Sequence, residues 1–255
     1  QASQALLNTK CFQGDCASRG QLDVICPSGF WGYRHNIGLP VSIGKSEAPA
    51  AMKLTYEGTQ SMSVAVSTDQ AFKLRKKHVE KLQALRQGLG WSYAETRDAA
   101  LQMMKEKPGH VVYFYCHGGM HPVWNVPYLL VGDPQNTQGI TRDNFEAYDI
   151  KRDKIKPLVF LNGCHTTALS PEQTLNLVSG FIEDAHAAGV IGTEITIFEP
   201  LACAFGEECL EHFFNGVPIG EAVRRARLKL LQEGNPLGLV YIPFVLASLT
   251  LVKAG

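Results

Sequence analysis

The chain has 255 residues, is 45% hydrophobic, and carries 24 basic against 24 acidic side chains, so its formal net charge is zero. That apolar content supports one sizeable core with room for a smaller N-terminal piece. Balanced charge gives no electrostatic drive towards nucleic acid or an anionic membrane, and neither is expected as a direct partner.

The longest apolar stretch, Leu237 to Val252, is broken by Pro243, Ser248 and Thr250. It is shorter than the roughly 18–20 residues a membrane span needs. The chain starts at Gln1 with no basic segment leading into an apolar one, so no signal peptide is read. A fragment from the C-terminal part of a longer protein is expected. Seven cysteines, an odd number without dense spacing, favour a reduced, cytoplasmic setting.

In chain order, residues 1–60 read as an irregular N-terminal region punctuated by Gly and Pro, with a short strand over Met52 to Tyr56. From residue 61 to residue 255 strand and helix patterns alternate. Met62 to Ser67 alternates and is β-branched, so it predicts a strand. A helix is predicted from Phe72 to Gln87, stopping before Gly88, with the basic run Phe72 to Lys81 on a solvated face. An edge strand over Trp91 to Ala94 follows. Thr96 then caps a helix ending before Pro108.

Two apolar runs come next, Val111 to Tyr115 and Leu158 to Leu161, each read as a strand buried on both faces. The long connection between them, Gly118 to Lys156, holds a short helix near Arg142 to Tyr148. Ser170, Pro171 and Gln173 start another helix, whose apolar face is Leu175, Val178, Ile182 and Ala185 and which closes at Gly189. Val190 to Ile195 predicts a strand. Pro200 and Pro218 each open a helix, and Val240 to Val252 gives a last strand. This order predicts an α/β fold with a mostly parallel sheet and helices on both faces.

The chemistry sits where the two buried runs end. The first leads into His117, Gly118 and Gly119, the second into Asn162, Gly163 and Cys164. Parallel sheets place their sites past the carboxyl ends of strands. Neighbouring strands lie about 4.8 Å apart, so adjacency would bring His117 and Cys164 to one rim. A thiol beside an imidazole is the minimal set for a cysteine hydrolase. Cys164 would attack a carbonyl, His117 would move the proton, and the Gly118 and Cys164 amides would hold the oxyanion. The alternative, a buried core thiol, stands open on residue type alone.

Cys116 lies inside the apolar run and is read as core. Asp133 and Glu194 are candidate pocket acids for a basic side chain, and Asn162 and His165 candidate pocket residues. No cofactor is expected. Cys116, His117, His121, Cys164 and His165 match no common zinc spacing. Neither do Cys11, Cys16 and Cys26 with His35, for which burial or a disulfide is expected. Trp31, Tyr33 and Trp124 are expected to pack.

Together, YFYCHGG and VFLNGCHTT resemble the caspase-like cysteine peptidases of clan CD, and more narrowly the CHAT-domain proteases. CPSGFWGYRHNIGLP, GFIEDAHAAGVIGTEITIFEPLACAF and FFNGVPIGEAVRRARLKLL extend that resemblance from about Cys26 onwards. It implies a caspase-haemoglobinase fold, a His117–Cys164 dyad, and an oxyanion site at the Gly118 and Cys164 amides. It further implies a protein substrate and a sensor or regulatory region, in the same chain or another subunit, often in bacterial defence or cell death. His165 departs from the family's small residue after the cysteine. A basic P1 side chain is expected over a large apolar one. Two other classes stay open: a silent caspase-like scaffold, and an acyl-transfer enzyme acting on a non-peptide substrate.

Overall fold

The computed structural model describes residues 26–41, 51–121, 123–135, 138–150, 155–163 and 177–255. The expectations on Cys11, Cys16, Cys164, His165 and the Ser170–Gln173 helix start lie outside them.

A six-stranded sheet organises the fold, in the order β3-β2-β4-β7-β8-β9. Its strands are β2 (Ser61–Val66), β3 (Gly90–Ala94), β4 (Val111–Tyr115), β7 (Leu158–Leu161), β8 (Gly189–Thr193) and β9 (Tyr241–Phe244). All pairings are parallel except β8 with β9. The central strands are apolar on both faces because both faces are covered. Val64, Tyr113, Phe160 and Ile191 pack with α2 (Arg75–Gln83), α5 (Glu199–Phe214) and α6 (Ile219–Gln232). The alternate residues Ala65, Phe114, Val159 and Val190 face α3 (Arg97–Glu106), α4 (Asp143–Ala147) and the Leu177–Ala185 segment. Thr96 caps α3 as expected, accepting from the Ala99 N–H at 3.2 Å. The short α1 (Trp31–Arg34) docks on α6 through Arg227, which donates to the Gly32 carbonyl at 3.2 Å.

Three differences from the sequence reading have physical causes. The last apolar stretch is two strands: β9 closes the main sheet, while β10 (Thr250–Lys253) runs parallel to β1 (Lys53–Tyr56) in a separate pair. Pro243 has no N–H for a ladder, so it sits in the last strand of the sheet. The connection after β4 also contains an antiparallel hairpin, β5 (His117–Met120) and β6 (Pro127–Leu130), that four-residue strands rich in Gly did not signal. Finally, Trp31 and Trp124 do not pack inside: they are 76% and 67% exposed, whereas Tyr33 is buried. Trp124 instead stacks on His121, with ring centroids 4.1 Å apart.

Candidate active site

β4 and β7 are neighbours and parallel, with Phe114 opposite Leu161. The two chains therefore leave the sheet side by side, one into Cys116 and His117, the other into Asn162 and Gly163. The Asn162 N–H still donates to the Phe114 carbonyl at 2.8 Å, carrying the pairing one residue past the strand. Cys164 follows Gly163 in the chain, outside the described residues.

His117 opens β5, and its ring is partly exposed. Its Nε2 lies 2.9 Å from Oδ2 of Asp69, which stands just past the end of β2 at the same rim. Phe72 covers the imidazole, with ring centroids 4.7 Å apart. Sequence reasoning did not single out Asp69; its place three residues after β2, a strand ending at this rim, is the available signal.

The backbone of β5 explains the amide at Gly118. Leu129, opposite Gly118, exchanges both of its backbone groups with Ile140, at 2.9 and 2.8 Å. The ladder bonds of the hairpin therefore fall on His117 and Gly119, and the Gly118 N–H faces away from β6.

Behind the Asn162–Gly163 turn lies a buried polar relay. Asn162 is fully buried, and its amide nitrogen donates to the Tyr113 hydroxyl and, at 2.8 Å, to the Ala202 carbonyl. Its side-chain oxygen accepts from the Tyr241 hydroxyl at 2.6 Å. Since Asn162 donates to it, the Tyr113 hydroxyl gives its own proton to His78 Nε2 at 2.7 Å. His78 Nδ1 then donates to Glu207 at 2.8 Å. Gly206 in α5 permits this closeness: a Cβ there would stand 2.5 Å from the Tyr113 hydroxyl and 3.0 Å from the Asn162 nitrogen. Thr193 of β8 donates its hydroxyl to the Gly163 carbonyl, pinning the turn from the other side.

The ionisable groups here shift for identifiable reasons. Two hydrogen bonds, first from the Ala71 amide and then from His117, hold the Asp69 carboxyl below its ordinary range. Burial pushes the Cys203 thiol up to about 11. Burial likewise raises Tyr113 far above its usual value, so its hydroxyl stays protonated. Ligand atoms of His78, Cys203 and Glu207 all lie within 4.8 Å of one another. Both His78 nitrogens are already bonded, and Lys81 holds Glu207 at 2.6 Å, so the cluster is a satisfied polar network rather than a vacant ligand set.

Asp133 and Glu194 are both exposed but stand apart. Asp133 follows Gly132, which bridges to Ser67 on the β2 flank. Glu194 follows β8, three strands away in the sheet order, at about 4.8 Å per strand. They lie towards different flanks of the rim. Cys116 is buried, as expected of core.

The sheet order and rim define an α/β protein of the caspase-haemoglobinase kind. The fold is similar to separase of Saccharomyces cerevisiae in a separase–securin crystal structure: TM-score 0.50, 15% identity, 81% of this chain and 13% of that one. A second separase–securin structure from the same organism aligns with TM-score 0.48 and 17% identity over 78% of this chain and 12% of that one. More narrowly, the chain belongs to the CHAT domain family, whose profile matches residues 39–247. A protein of Vitiosangium sp. named as a probable protease is 47% identical across 98% of this chain. The chain spans about a third of that relative's length, 33%. Among the described residues no helix is long and apolar enough to cross a membrane.

Proposed function

We propose that this domain is a cysteine endopeptidase with Cys164 as nucleophile and His117 as acid–base. The observation that carries the reading is the β4–β7 adjacency: His117 and the pinned Asn162–Gly163 turn leave neighbouring parallel strands at one rim. Membership of the CHAT family and the name of the Vitiosangium relative support it.

In this mechanism the Cys164 thiol gives its proton to His117, and the thiolate attacks the scissile carbonyl carbon. The Gly118 N–H, turned away from β6, and the Cys164 N–H take the developing oxyanion. Collapse breaks the C–N bond, and His117 returns the proton to the leaving amine. Water, deprotonated by His117, then hydrolyses the thioester and restores the thiol.

Asn162 enters the reading in a different role from pocket lining. Its amide is spent inside the protein, so it holds the nucleophile's turn from behind. Asp133 and Glu194 remain the candidate acids for a basic P1 side chain, one on each flank, with His165 shaping the cleft. A protein substrate and a sensor or regulatory region, in the same chain or another subunit, follow the family resemblance. The defence or cell-death setting follows the family resemblance.

The test is cleavage of a protein library by the full-length protein, wild type against Cys164→Ala, with mass spectrometry of the new termini. Cleavage lost in the variant, with Arg or Lys at P1, is expected. Cleavage that survives the substitution would move the nucleophile elsewhere, and cleavage only after Leu or Met would reject the basic pocket. Hydrolysis of small thioesters without peptide cleavage would favour acyl transfer to a different substrate. For the biological setting, expression in phage-challenged cells should protect only with Cys164 intact.

A further inference from the structure

The contact between His117 and Asp69 is built rather than incidental. Exposed ion pairs contribute little when two mobile side chains must be ordered to meet. Here both partners are ordered beforehand. The second carboxylate oxygen of Asp69 accepts the Ala71 N–H at 2.8 Å, and the Asp69 N–H donates to the Ser67 hydroxyl at 3.2 Å. The Ser67 and Thr68 amides donate to the Tyr115 and Gly132 carbonyls, at 2.9 and 2.8 Å. Arg75 clamps the Ser67 carbonyl at 2.6 Å. On the other side, Phe72 lies against the imidazole and restricts its rotation.

We propose that Asp69 is the positioning residue of His117, accepting the Nε2 proton so that Nδ1 is the nitrogen that exchanges protons with the nucleophile. The proposal rests on the Cys164–His117 reading and adds a third member to it. A fixed Nε2–H···carboxylate bond selects one tautomer and one ring orientation. Because β4 lies between β2 and β7, a ring tied to the β2 flank turns Nδ1 away from that flank, and β7 lies on the other side. The carboxylate also stabilises the imidazolium that forms when the thiol gives up its proton, which favours the thiolate.

Three other ionisable groups of the flanking segments make contacts away from His117. Arg75 is spent on the Ser67 carbonyl, Asp133 accepts the Gln135 N–H at 2.9 Å, and His121 stacks on Trp124 at the far end of the hairpin. Among the described residues, Asp69 is the ionisable group that bonds to His117.

The experiment compares full-length wild type with Asp69→Asn, Asp69→Ala and Asp69→Glu. Two readings are taken: the rate of Cys164 alkylation by iodoacetamide against pH, followed by peptide mass mapping, and 15N NMR of the His117 imidazole in a Cys164→Ala background. For Asp69→Asn we expect the alkylation profile to move to higher pH by about half a unit or more, and kcat/KM to fall on the order of 10- to 100-fold through kcat. The neutral imidazole should be Nε2-protonated in the Cys164→Ala parent and a mixture of tautomers once Asp69→Ala is added. Asp69→Glu should recover part of both. A superimposable alkylation profile and an unchanged tautomer in Asp69→Asn and Asp69→Ala would overturn the proposal. Peptidase activity that survives Cys164→Ala would instead sink the underlying reading, while the tautomer measurement would still decide whether Asp69 orients His117.

Discussion

Replacing Asn162 with Ala tests whether the turn that leads into Cys164 is held by the buried relay. The substitution removes the donor to Tyr113, the donor to the Ala202 carbonyl, and the acceptor of the Tyr241 hydroxyl. Each buried hydrogen bond contributes about 1 kcal/mol net, and a small cavity is left behind, so the loss is about 3–5 kcal/mol. That is a large part of the 5–15 kcal/mol typical of a whole domain. With a urea m-value of about 3 kcal/mol/M, the midpoint of unfolding falls by about 1–1.7 M. The assay is urea unfolding by circular dichroism, paired with the rate at which a cysteine-directed probe labels Cys164. A midpoint shift under about 0.3 M, with unchanged labelling, would refute the anchoring role. Tyr113→Phe should lose less, about 2 kcal/mol, because the Ala202 and Tyr241 bonds survive.

Gly206→Ala sets two effects in opposition: alanine favours the helix by about 1 kcal/mol, but its Cβ meets the Tyr113 hydroxyl at 2.5 Å. Overpacking should win by about 1–2 kcal/mol, and a variant of higher Tm would contradict the close-packed relay. Thr193→Val removes the hydroxyl that holds the Gly163 carbonyl. It should destabilise by about 1–2 kcal/mol and slow Cys164 labelling, whereas wild-type labelling kinetics would show that this bond is idle. For Glu208, burial pushes the carboxyl up, but hydrogen bonds from His212 and Lys229 outweigh it and bring its pKa from 4.5 down to about 2. A depressed carboxyl stabilises the fold above pH 4.5 and loses that contribution as pH falls through about 2. The stability gap between wild type and Glu208→Gln should therefore close as pH falls from 4.5 towards 2, and a gap unchanged over that range would remove the ion pair from the account.

Hydrophobic pattern alone determined the α/β class, the two doubly buried strands, the Thr96 cap and the positions of His117 and Gly163, because these depend on runs and caps that are local in the chain. A His-Gly-Gly after a buried strand is a local signal as well, and it is what points to Gly118 as an oxyanion candidate. Tertiary structure decided the rest. Strand order brought β7 beside β4 and carried Asp133 and Glu194 to opposite flanks, a separation that no sequence distance encodes. Asn162 read as a pocket residue because it is polar and adjoins the cysteine. The groups that bond it, two tyrosine hydroxyls and a backbone carbonyl, come from β4, β9 and α5, up to 79 residues away. Asp69 lies 48 residues before His117. Only the parallel pairing of β2 with β4 sets a carboxylate at the end of one strand against an imidazole at the end of the next.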